Sequence, residues 1–123
     1  YGASRRMASA YAVGRACLAG DSAHVTNTRG GMNMNCGIHD ADCLARAIIK
    51  AMPDDRIEWV QEAANQRFAI ARDMLIPRTD RNISGGDNWL DTIKTMAADK
   101  QAATDYLATA AMLDMLDRHH AMA

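Results

Sequence analysis

The chain has no run of apolar residues long enough to span a bilayer and no charged-then-apolar pattern at its N-terminus, which argues for a cytoplasmic protein. It lacks any excess of charge: the formal net charge is -1, and no basic run with interleaved aromatics occurs. Neither nucleic acid nor a membrane surface is therefore an expected partner. Cysteine is sparse and odd in number, since Cys17, Cys36 and Cys43 are the three present. Without secretory signals they argue against a disulfide framework and for free thiols in a reducing compartment. Internal repeats and low-complexity tracts are missing too. What is there is a sequence of 123 residues, long enough for the core of one domain. It opens on Tyr1 and runs directly into a strand signal, so it is expected to be a piece of something longer.

Residues 15–19 are short and mostly apolar and stop at Gly20 and Asp21, which predicts a buried strand ending in a tight turn. Residues 7–13 are expected to be extended, with a bend at Gly14 and Arg15. A polar stretch then leads to Gly30 and Gly31, a loop whose backbone a ligand can approach closely. Helical spacing begins near Asn35 and runs through Ile38, Ala41, Leu44, Ala45, Ile48, Ile49 and Met52 to Pro53. Asp54 and Asp55 are the expected caps of a second helix, whose core face is Ile57, Val60, Ala64, Phe68, Ala71 and Leu75. Pro77 should end or kink it. Asp87 or Asn88 would cap a helix carrying Trp89, Leu90, Ile93, Met96 and Ala97. A last helix is expected over about residues 100–118, packing through Tyr106, Leu107, Ala110, Ala111, Leu113 and Met115. The expected fold class is mainly α, with one or two short strands, a ligand-contacting loop and about four helices.

A strand that ends in Gly20 and Asp21 sets a carboxylate beyond its carboxyl end, where open α/β sheets bind ligands. Such a carboxylate accepts hydrogen bonds from sugar-like hydroxyls. Farther on, amides at the first turn of the helix, with Met34 and Asn35 the best placed, favour an anionic or electron-rich group. Hydroxyls at one part and an electron-rich carbonyl at another describe a flavin on its ribityl chain. The remaining polar residues have plainer expectations. Asp21, His24, Cys36 and His39 are competent ligand types, but their spacing fits no standard pattern and no metal is expected. His24 reads as a loop residue with a local hydrogen bond, Asp40 as a complement to the helix dipole, and Cys36 and Cys43 as small hydrophobes. Arg67 and Arg72 read by default as members of a solvated face, pairing with Glu62, Asp73 or other nearby carboxylates. No residue is an obvious acid or base catalyst.

The phrases GRACLAGDSAH and GGMNMNCGIHDA resemble, at this spacing, the second flavin-binding motif of class A FAD-dependent aromatic monooxygenases, the para-hydroxybenzoate hydroxylase-like family. NQRFAIARDMLIPRTDRN and MAADKQAATDYLATAAMLDMLDR extend the resemblance over nearly the whole chain, although many members carry proline and glycine where Thr28 and Asn33 stand. The resemblance implies FAD as cofactor, held by Gly20, Asp21, Gly30, Gly31, Met32, Asn33, Met34 and Asn35. Asp21 would contact its ribityl or pyrophosphate part, and the amides of Met34 and Asn35 its pyrimidine edge. It also implies an α/β, Rossmann-like parent, in which residues 1–34 form a strand and flavin loop and residues 35–123 a helical region. No Gly-x-Gly-x-x-Gly spacing occurs, so the ADP-binding unit is expected in an upstream half that acts as partner to this one. The implied reaction is hydroxylation of a small phenolic aromatic with O2 and NADH or NADPH. By itself the chain is expected to self-associate or remain loosely packed, and not to bind FAD tightly. Other readings of the same residues are a non-catalytic helical module, or a ubiquinone-type hydroxylase, epoxidase or flavin reductase.

Overall fold

A computed structural model describes residues 5–28, 31–84 and 89–116. Two small antiparallel pairs open the chain. Strand β1 (Arg6–Met7) pairs with β4 (His24–Val25), Met7 standing opposite His24, and β2 (Ala12–Val13) pairs with β3 (Ala16–Cys17). Gly14 leads the two-residue turn between β2 and β3 with φ +57, a conformation such hairpins assign to glycine. The strand expected over residues 15–19 is thus only two residues long, and it is exposed rather than buried. Among the described residues its only ladder partner is β2.

A 3-10 turn at Gly20–Ser22 carries the chain from β3 to β4. Helices follow: α1 (Asn33–Ala51), α2 (Glu58–Ile70), α3 (Ile76–Ser84), α4 (Trp89–Ala98) and α5 (Lys100–Ala110). A π-helical stretch, Ala71–Leu75, joins α2 to α3, so the five segments make four rods. The chain is mainly helical with a few short strands, as the periodicity suggests. Among the described residues no helix is long and apolar enough to cross a membrane.

Pro77 does not end its rod. A proline within a regular α-helix lacks an amide hydrogen and its ring collides with the carbonyl four residues back. Here the wider turn of the π-helical stretch comes just before it, and the rod continues as α3. Asp54 and Asp55 do not cap α2, whose N-cap is Ile57 without a side-chain bond. Asp55 instead has φ +53 and pairs with Arg15 across 2.5 Å. The expected caps Asp87 and Asn88 lie outside the described residues.

The core lies between α1 and α2 and under the Gly20–Ser22 turn. Val60, Ala64, Ala71 and Leu75 point into it as their spacing predicts, with Ile57 and Phe68 packed at its edge. For α1 the expectation needs correction. Its buried residues are Cys36, Asp40, Cys43, Leu44 and Ala51, whereas Ile38, Ala41, Ala45, Ile48 and Ile49, together with the adjoining Met52, are exposed. The helix has two apolar stripes, and periodicity alone does not say which is covered. At the other end, α5 stops at Ala110 and leaves Tyr106 and Leu107 exposed. The chain turns at Met112, φ +61, which buries Met112 and Met115 completely while Leu113 stays outside.

Candidate functional site

Glycine chemistry brings the Gly20–Ser22 turn against α1. Gly20 has φ +60, and a Cβ on Gly37 would lie 2.9 Å from the Gly20 Cα, closer than real contacts allow. Two residues without side chains therefore let the turn rest directly on the helix. The Gly20 amide donates to Asp40 Oδ2 at 3.3 Å, and Asp21, exposed on the same turn, meets the beginning of α1.

Asn33, the first residue of α1, makes that meeting. Its Oδ1 accepts the Thr26 amide at 3.2 Å and faces His24 Nδ1 at 2.9 Å, while its Nδ2 donates to Asp21 Oδ1 at 2.5 Å. Because a backbone N–H can only donate, the Thr26 contact decides which way the Asn33 amide faces. The other nitrogen of His24, Nε2, lies 2.8 Å from Asp40 Oδ2. Each ring nitrogen of His24 thus faces an acceptor, which requires a doubly protonated imidazolium. Arg67 Nε donates to the second oxygen of Asp40 at 2.7 Å.

All three charged residues are essentially excluded from solvent. Burial opposes the charge on His24, but its bonds to Asp40 and Asn33 and its proximity to Cys36 outweigh this and push its pKa up to about 10. Burial likewise pushes the Asp40 carboxyl up, and the bonds from His24 and Arg67 overcome it to hold the group below the ordinary carboxylate range. For Arg67 the sequence of effects is the same, burial being outweighed by Asp40, so the guanidinium is held charged.

His24, Cys36 and Asp40 present ligand atoms within 4.8 Å of one another, the spacing of a metal site. Their chemistry does not suit one. The Arg67 guanidinium already stands where a cation would, with Nη2 3.5 Å from Cys36 Sγ in addition to its bond to Asp40. Asp21 and His39 are not members of this group.

The three central residues correct the sequence reading. His24 belongs to β4 and the core rather than a loop, Asp40 neutralises buried cations rather than a helix dipole, and Arg67 is 1% exposed rather than solvated. Arg72 does pair with Asp73 at the surface. Sequence held one signal for the buried pair: Asp40 falls on the same helical stripe as Cys36, Cys43 and Leu44, and Arg67 on that of Val60, Ala64 and Ala71. Opposite charges at core register on consecutive helices mark a buried ion pair.

Of the residues expected at a ligand, Gly20, Asp21 and Asn33 come together. Cys36 N makes the first backbone bond of α1, to Met32 O at 3.0 Å, so the amides of Asn33, Met34 and Asn35 precede the hydrogen-bonded ladder. Met32 at the N-cap makes no side-chain bond and the first turn itself holds no acidic residue, so among the described residues it is Asp21, bonded through the Asn33 side chain, that brings a carboxylate to this positive end. Met32 is buried, the Met34 side chain is exposed, and a Cβ placed on Gly31, φ +62, would meet open space. Gly30 lies outside the described residues.

Residues after α5 clasp the same region. His39 Nε2 lies 3.2 Å from Ala111 O, Arg67 Nη1 donates to Met115 O at 2.7 Å, and Arg78 pairs with Asp114. No disulfide joins the three cysteines, of which Cys36 and Cys43 are buried.

A family model described as FAD binding domain matches residues 1–76. The chain is 45% identical over 112 residues to para-nitrophenol 4-monooxygenase of Pseudomonas sp. (strain WBC-3), an alignment covering 85% of this chain and 27% of the relative. It is 28% identical over 119 residues to 6-hydroxy-3-succinoylpyridine 3-monooxygenase of Pseudomonas putida, covering 87% and 30% of the two chains. Against salicylate hydroxylase of Sarocladium schorii the identity is 32% over 65 residues, 53% of this chain and 13% of the relative. The chain thus spans less than a third of the length of these curated relatives. No solved structure matches it significantly.

Proposed function

The chain belongs to the FAD binding domain family, and from that premise we propose that it supplies part of the flavin site of a monooxygenase that hydroxylates small phenolic aromatics. The observation that carries this reading is the junction of Asp21 with the N-terminus of α1: a carboxylate acceptor and the backbone amide donors of the helix's first turn lie side by side. A flavin nucleotide needs both, an acceptor for the hydroxyls of its polyol chain and donors for the electron-rich edge of its ring. Open backbone at Gly31 lets the ring approach. The residues fit the group.

In this reading Asp21 binds the ribityl or pyrophosphate part, and the backbone amides of Met34 and Asn35 bind the pyrimidine edge. Gly20, Gly30, Gly31, Met32 and the backbone of Asn33 shape the loop around it. FAD, when bound, supplies the redox and oxygen chemistry, with NADH or NADPH as electron donor. The chain's own contribution is to hold the cofactor, to set dipoles against negative charge on its ring, and to keep water away from that edge. The relatives named for nitrophenol and salicylate support a phenolic substrate. Their greater length supports a longer enzyme whose remainder completes the site.

The test is Asp21→Ala in that longer enzyme. Loss of a hydrogen bond involving a charged group is expected to weaken FAD binding by about ten- to a hundredfold. Asp21 is exposed, so the thermal midpoint of the apoprotein should change little. Undiminished flavin content in the variant would reject the assignment.

A further inference from the structure

We propose that Asp40, His24 and Asn33 form a positioning relay that aims the Asp21 carboxylate, so that cofactor retention depends on buried side chains that do not touch the cofactor. The inference rests on the reading of Asp21 as a flavin ligand given above. It starts from the other end of the network. Arg67 holds one oxygen of Asp40, and the second oxygen holds His24 Nε2. That leaves His24 Nδ1–H to donate to Asn33 Oδ1, beside the Thr26 amide. With its oxygen facing two donors, Asn33 has one way to turn its NH2 group, toward Asp21.

Asp21 needs such a partner. It sits on an exposed three-residue turn, where a carboxylate samples several rotamers in water. Selecting one before the ligand arrives removes an ordering cost from binding. The relay also assigns the side chain of Asn33 a role distinct from that of its backbone: both its polar atoms are engaged with protein, so it orients a ligand group rather than acting as one. His24, by this account, serves neither as a base nor as a metal ligand. Its two protons link a buried anion to a surface amide.

A double-mutant cycle on the longer enzyme, stripped of FAD and retitrated with FAD, separates this from a merely structural role. Asn33→Ala alone is expected to raise the FAD dissociation constant about three- to tenfold, within the range of one hydrogen bond. In the Asp21→Ala background the same substitution should have no further effect. His24→Gln should behave likewise, and Asn33→Ala, being half-buried at the surface, provides the variant that folds if His24→Gln does not. A loss on Asn33→Ala that is equally large with and without Asp21 would overturn the relay while leaving Asp21 as a ligand. An unchanged dissociation constant in Asp21→Ala itself would overturn the ligand assignment, and the relay with it.

Discussion

His24 carries a charge that depends on where it is folded. Asp40 and Cys36 of α1 and Asn33 at its start face the ring or approach it, as do Tyr11, with ring centroids 6.2 Å apart, and, through Asp40, Arg67 of α2. Its pKa rises from 6.5 to about 10 on folding, so its charge stabilises the fold fully below the lower value, and that contribution is lost as the pH climbs through the higher one. Asp40 runs the other way: its folded pKa is lowered, so its contribution is present above the ordinary carboxylate value and lost as the pH falls through the folded one. The expected profile is a plateau at mildly acidic pH and a decline in thermal midpoint between about pH 6.5 and 10, flattened in His24→Gln. A midpoint in the parent chain that does not move over that range would show that His24 is not held as the cation.

At the scale of the element, α1 is a helix with two apolar stripes and one covered. Leu44 belongs to the covered stripe, so Leu44→Ala is expected to cost about 2–5 kcal/mol through lost contacts and a cavity. Ile38 and Ile49 belong to the other and are 58% and 69% exposed, so Ile38→Gln and Ile49→Gln should change the stability of this chain by only about 0.5 kcal/mol. Denaturant midpoints of the three variants check the contrast, and similar losses in all of them would mean that the helix is oriented otherwise. Pro77 makes a related point about what an element tolerates. A residue that reads as a stop is accommodated when the helix ahead of it widens, a choice that depends on what Ala71 and Leu75 gain by staying in the core.

For the whole molecule, the exposed stripe of α1 and the short relative length of the chain belong together. An apolar face of Met34, Ile38, Ile48, Ile49 and Met52 suits burial against the remainder of a longer flavoprotein, the occupant the proposed function calls for. Titration of the isolated chain with FAD should accordingly show weak binding that tightens at least about tenfold when the rest of the enzyme is supplied as a separate chain. Binding by the isolated chain as tight as that of the longer enzyme would overturn this expectation. Sequence by itself determined the features that short-range contacts decide: the helical spacing, the turn at Gly20 and Asp21, and a helix beginning within two residues of Asn35. Those follow from backbone freedom and from neighbours three or four residues apart. For the pairing of Asp40 with Arg67, 27 residues away, it held only the signal of helix register, and it did not determine that Asp40 would meet His24, 16 residues away, nor that Arg67 would reach the Met115 carbonyl 48 residues on. Tertiary structure alone decided those meetings, because a charge survives burial only where the closed chain brings it a partner, and which surfaces close on one another is set by the packing of the whole core.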